Sequence, residues 1–105
     1  MIYTVIIQPP AEADIESAYQ YIRTDSKNAA DRWLLGLINA IQSLENMPNR
    51  CGLARENREF KEEIRQLHYG RRHNSYRIIF VVHVKRVLVL RVLHGARESI
   101  YPEDL

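Results

Sequence analysis

Between Ile64 and Arg97 the chain carries eight basic residues and no carboxylate over 34 positions. Soluble domains usually mix signs along each surface, so a one-signed stretch creates a field that draws anions. Nucleic acid, a phosphate-rich assembly or an acidic protein segment are the matching partners. Four histidines, His68, His73, His83 and His94, lie in or near the same stretch. They are scattered, with no i, i+4 pair on a helix and no Cys/His cluster, so neither a metal site nor a cofactor is expected. The single cysteine, Cys51, has no partner for an internal disulfide and no histidine beside it to activate a thiolate.

The asymmetry holds for the whole chain. Residues 1–49 carry three basic and six acidic residues, whereas 50–105 carry twelve basic and seven acidic ones, giving the overall charge of +2. A length of 105 residues suits one domain, 1–105, with a radius near ~13 Å. With 46% apolar and 27% charged residues the composition is that of a globular domain. No apolar run approaches the ~20 residues of a membrane span, and no signal-peptide pattern opens the chain. A cytoplasmic, reduced setting without membrane contact is expected.

The elements that must position these residues follow from period and punctuation. Ile2–Gln8 is rich in β-branched residues and stops at Pro9-Pro10, which predicts a strand. A helix should open near Pro10, because proline is tolerated in a first turn, and Ala11, Ile15, Ala18 and Ile22 form its apolar stripe. Asp25 or Ser26 can cap a second helix running from about residue 28 to 47, with Ala30, Trp33, Leu34, Leu37, Ile41 and Leu44 on one face. The short break between the helices requires an antiparallel hairpin. Gly36, in mid-helix, suggests close approach of the first helix. Residues 49–61 read as a loop and Glu63–His68 as an edge strand. Tyr76–Val84 and Val87–His94 read as a hairpin turning at Lys85-Arg86. The order β-α-α-β-β-β predicts an α+β domain, with a helical hairpin on one face of a four-stranded, mainly antiparallel sheet. The other face is left to solvent or a partner, with basic residues around it and its rim.

In this order the residues resemble the RelE/ParE family of bacterial toxins from type II toxin–antitoxin modules. The resemblance rests on Pro9-Pro10-Ala11-Glu12-Ala13-Asp14-Ile15, on Ala30-Asp31-Arg32-Trp33, and on Ile41-Gln42-Ser43-Leu44 followed by Pro48. Its strongest parts are Tyr76-Arg77-Ile78-Ile79-Phe80 and Val92-Leu93-His94-Gly95-Ala96-Arg97-Glu98. It implies a growth-inhibiting toxin, often of plasmid-stabilisation type, held inactive by a cognate antitoxin with an acidic C-terminal segment. The family holds two mechanisms. RelE-like members cut messenger RNA in the ribosome, whereas ParE-like members inhibit DNA gyrase by protein–protein contact.

Metal-free RNA cleavage needs a base for the 2′-hydroxyl, cations for the phosphate and an acid for the leaving oxygen. Arg77 and Arg97 match arginines of the RelE-like site and can hold a phosphate. After the second arginine the RelE-like pattern has a further Arg and a Tyr. Here Ser99 and Ile100 follow instead, and Tyr101 arrives early. His94 can stand in as acid or base. The His-Gly-Ala-Arg form is common in the ParE-like branch. The favoured reading is therefore a non-enzymatic ParE-like gyrase inhibitor, with Arg77, Arg97 and Tyr101 facing the target. The alternative is a metal-independent, ribosome-dependent endoribonuclease using Arg77, His94, Arg97 and Tyr101. A plain basic nucleic-acid-binding module comes third, since aromatic residues do not interleave with the basic ones. Arg77 can equally pair with Glu62, Glu63 or a C-terminal carboxylate. By the family's logic the antitoxin would be held by a groove of Tyr19, Tyr21, Ile22, Trp33 and Leu37, which can equally pack on the sheet.

Overall fold

The first strand is short because two prolines follow it. In a computed structural model that describes residues 2–71, 75–95 and 98–105, β1 covers Thr4–Ile7 and α1 runs Pro9–Arg23, with both prolines in its first turn. Ser26 caps α2, Lys27–Gln42, its hydroxyl accepting the Ala29 N–H at 3.1 Å. The helix tightens into a 3-10 turn at Ser43–Glu45 and ends earlier than the sequence pattern suggests, because Met47 turns left-handed ahead of Pro48. Three strands follow: β2 Arg65–Tyr69, β3 Tyr76–His83 and β4 Arg86–His94.

The sheet order is β1-β4-β3-β2. β2 and β3 pair antiparallel, as do β3 and β4, while β1 lies parallel to β4 at the edge. The expected α+β architecture and element order are therefore present. The hairpin turns one residue earlier than expected, at Val84-Lys85, because His83 pairs with Arg86.

A register shift opposite Ile79 and Phe80 gives β4 one extra residue. It decides which side chains face the helices. Val87 and Val89 lie on the helix side before the shift and Val92 after it, which a strict alternation would not allow. With Ile78 and Phe80 they pack against Trp33, Leu37 and Ile41 of α2 and Ala11 of α1. Gly36 does admit a close neighbour, but that neighbour is β2 rather than α1. A Cβ there would lie 2.1 Å from the Tyr69 hydroxyl, which donates to the Trp33 carbonyl at 2.9 Å.

The opposite face corrects a second expectation. It is not left to solvent. The segment 51–64 and the tail fold over it, so that Ala54, Ile64 and Ile100 bury Ile79, Val81 and Leu93. The Cα radius of gyration is 13.4 Å.

Candidate functional site

Arg77 projects from β3 into this second layer rather than toward the surface. It is 1% exposed. Its Nη1 donates to Glu56 Oε1 and to Gln66 Oε1, each at 2.8 Å, and its Nη2 donates to Glu56 Oε2 at 2.6 Å and the Glu98 carbonyl at 3.0 Å. The planar guanidinium thus meets the carboxylate two-pronged, the strongest geometry for such a pair. Arg77 therefore does not face a target, because a carboxylate of its own chain neutralises it. The partner is Glu56, not Glu62, Glu63 or the C-terminal carboxylates. Burial alone would raise the Glu56 pKa. The bonds from Arg77 and from the Ile100 N–H at 3.1 Å outweigh it and hold the carboxyl below its usual range.

The same cluster anchors the tail. Arg55 donates to the Gly95 carbonyl at 2.9 Å, the Glu98 carbonyl at 2.7 Å and Ser99 Oγ at 3.1 Å. Arg55, Glu56 and Arg77 together fasten Gly95, Glu98, Ser99 and Ile100 to the 51–59 loop. Arg97, a candidate target-binding and catalytic residue, lies outside the described residues, as does His73. Tyr101 is 49% exposed, and its backbone N–H donates to Asp104 Oδ2 at 2.9 Å. His94 ends β4 half-buried, edge-on to Tyr76 at 5.4 Å between ring centroids.

Other cations of the one-signed stretch are also paired. Arg91 binds Asp14 of α1, Nε to Oδ2 at 2.6 Å, which holds the guanidinium protonated above its usual range against the opposing pull of burial. Arg65 lies 3.2 Å from Glu63 and donates to the Cys51 carbonyl at 2.6 Å. The unbroken run of positive charge is therefore not a continuous positive surface.

The expected antitoxin groove is also corrected. Trp33 and Leu37 lie in the core, 9% and 0% exposed, and cannot line a groove. Ile22 packs half-buried on the same core. Tyr19 is half-buried, and its hydroxyl donates to Asp31 across the helix hairpin at 2.5 Å. Only Tyr21 of the five stands well exposed, at 69%. It borders a cavity of about 320 Å³ between α1 and the outer edge of β4, shared with Asp14, Ala18, Tyr76, Val92, His94 and Glu98. β1 stops at Ile7, so on that side this part of β4 has no neighbouring strand among the described residues. Carboxylates replace it: Asp14 accepts the Val92 N–H at 2.9 Å and Glu98 the His94 N–H at 2.7 Å. This satisfies the edge without a strand.

Sequence reasoning missed Glu56, Gln66, Arg55 and Asp14. A signal was present for two of them: Arg77 and Arg91 interrupt apolar strand runs, and an arginine in such a place needs a partner. Which carboxylate serves could not be read from the sequence. Among the described residues no group of His, Cys, Asp and Glu could hold a metal ion, and no helix is long and apolar enough to cross a membrane.

Comparison with known proteins adds to this geometry. A family model for the ParE toxin of the type II toxin–antitoxin system, parDE, matches residues 5–99. A solved structure described as the chromosomal ParDE TA system from P. aeruginosa is similar in fold, with a TM-score of 0.70 at 20% identity, covering 89% of this chain and 96% of that one. No curated protein matches the sequence.

Proposed function

The chain belongs to the ParE family of toxins of type II toxin–antitoxin systems, and we propose that it inhibits DNA gyrase in the cytoplasm by protein–protein contact and is neutralised by a cognate antitoxin. The observation that carries this choice over RNA cleavage is the state of Arg77. A metal-free ribonuclease needs a cation aimed at the scissile phosphate. Arg77 is instead buried against Glu56, and turning it outward would strand a buried carboxylate. The geometry supports a scaffold that presents a surface rather than one that converges groups on a phosphate.

The antitoxin is assigned to the groove beside Tyr21. Tyrosine is a favoured interface anchor, and Ala18 and Val92 supply apolar walls. The groove's polar lining is itself acidic, through Asp14 and Glu98. An acidic antitoxin segment would therefore gain encounter rate from the chain's overall charge of +2 rather than contacts inside the groove.

Induction of the chain in growing cells tests the proposal. DNA breaks and the SOS response should come first, with messages intact, and the purified protein should block supercoiling by gyrase. Early arrest of translation with messenger cleavage at ribosomal A sites would overturn it in favour of the endoribonuclease. A salt-sensitive, target-independent affinity for nucleic acid, with gyrase unaffected, would favour the binding module.

A further inference from the structure

Among the described residues two other than glycine adopt left-handed backbone, Met47 at φ 47° and Val84 at φ 56°. Val84 is the harder case. A β-branched side chain is poorly suited to that region, and the first central position of a two-residue hairpin connection at positive φ normally takes glycine. No packing among the described residues compensates, since Val84 is 88% exposed and Met47 73%. Ile2, 70% exposed, lies at the same end of the sheet. The Thr4 N–H donates to the Lys85 carbonyl and the Tyr3 N–H to the Glu45 carbonyl, each at 2.9 Å, so the start of the chain ties the two turns together. Arg50 keeps the second turn in shape, its Nη1 donating to the Asn46 carbonyl at 2.7 Å and the Met47 carbonyl at 3.3 Å. Backbone strain of this kind clusters at functional sites.

We infer that this end of the molecule, with Val84, Met47 and Ile2 as apolar knobs and Lys85 and Arg86 as cations beside them, docks on an acidic protein surface. This rests on the toxin reading, in which that surface belongs to the toxin's target. Lys85 and Arg86 are exposed and form no ion pair among the described residues, in contrast to Arg77 and Arg91. His83, just before the tip, lies in hydrogen-bond contact with Glu62 at 2.6 Å, so the cations at the hairpin without a carboxylate among the described residues are Lys85 and Arg86. The knobs are aliphatic, which suits an apolar hollow in a protein and not stacking on bases. The surface is separate from the Tyr21 groove, so target and antitoxin contacts can be lost independently.

Val84→Gly is the first test, because it relieves the backbone while removing the knob. The variant should melt higher than the parent and bind antitoxin as the parent does. Its growth arrest on induction, and its binding to purified gyrase, should fall about tenfold, the size expected for a central interface anchor. Lys85→Glu with Arg86→Glu should produce the same loss in a folded protein. Arrest unchanged in both variants would overturn the inference and leave the gyrase reading standing. Arrest lost in the variants while the parent leaves supercoiling untouched would sink the gyrase reading and support the tip as the contact with another target. Val84-dependent binding to vesicles of anionic lipid, or a Val84-dependent dimer in solution, would overturn the acidic-protein assignment.

Discussion

The two faces of the sheet are sealed by different physics. On the helix side, apolar side chains of α1 and α2 meet apolar side chains of β3 and β4, with Leu37, Ile78, Phe80, Val87 and Val89 at 0% exposure. On the other side a loop and the tail cover a smaller apolar cluster, and a buried Arg77–Glu56 pair stands in the same layer. An apolar layer tolerates approximate complementarity, whereas a buried charge demands one particular partner in one geometry. The second layer is therefore the more specific and the more fragile.

Removing one partner of the pair should have the largest effect. Glu56→Gln leaves the buried guanidinium uncompensated and should cost about 3–5 kcal/mol in urea unfolding. Replacing both, as Glu56→Leu with Arg77→Met, should recover most of that. The acid limb distinguishes the layers further. Because the folded Glu56 pKa is depressed, its contribution is full above the unfolded value of about 4.3 and is lost as pH falls toward the folded one. Leu37→Ala, on the helix side, should cost about 2–5 kcal/mol and leave that acid limb intact. If both variants share one pH profile, the two layers do not differ as described.

Gly36→Ala should come next, at about 1–3 kcal/mol, since its methyl meets the Tyr69 hydroxyl. Tyr69→Phe removes the clashing atom, so the double variant should be less destabilised than the two single changes add to, as a thermal-melt double-mutant cycle would read. The smallest effect belongs to Ser26→Ala, about 1 kcal/mol by the same melt, for the lost cap of α2.

Much of the helix-side layer was legible in the sequence. The spacing of Trp33, Leu37, Ile41 and Leu44 marks a buried face whatever it packs on, and Pro9-Pro10 and Ser26 mark helix starts by local sterics and hydrogen bonding. The site was less legible. Arg77 has the residue type and motif of a phosphate-holding group, and only burial shows it to be an anchor. Glu56 sits in a loop without periodicity, 21 residues before its partner. Val84 reads as the last residue of a strand, yet the observed register makes it the strained tip of a turn.

By itself the sequence determined the element order, the apolar faces and the positive bias of the second half, because each depends on neighbours a few residues apart. The tertiary structure decided which arginines are spent on carboxylates, which face the bulge turns inward and which end of the sheet stays bare. Those outcomes depend on groups far apart in the chain. Only closure of the fold brings a charge near its counter-charge or leaves it in water, and that proximity determines whether the residue stabilises the protein or remains available to a partner.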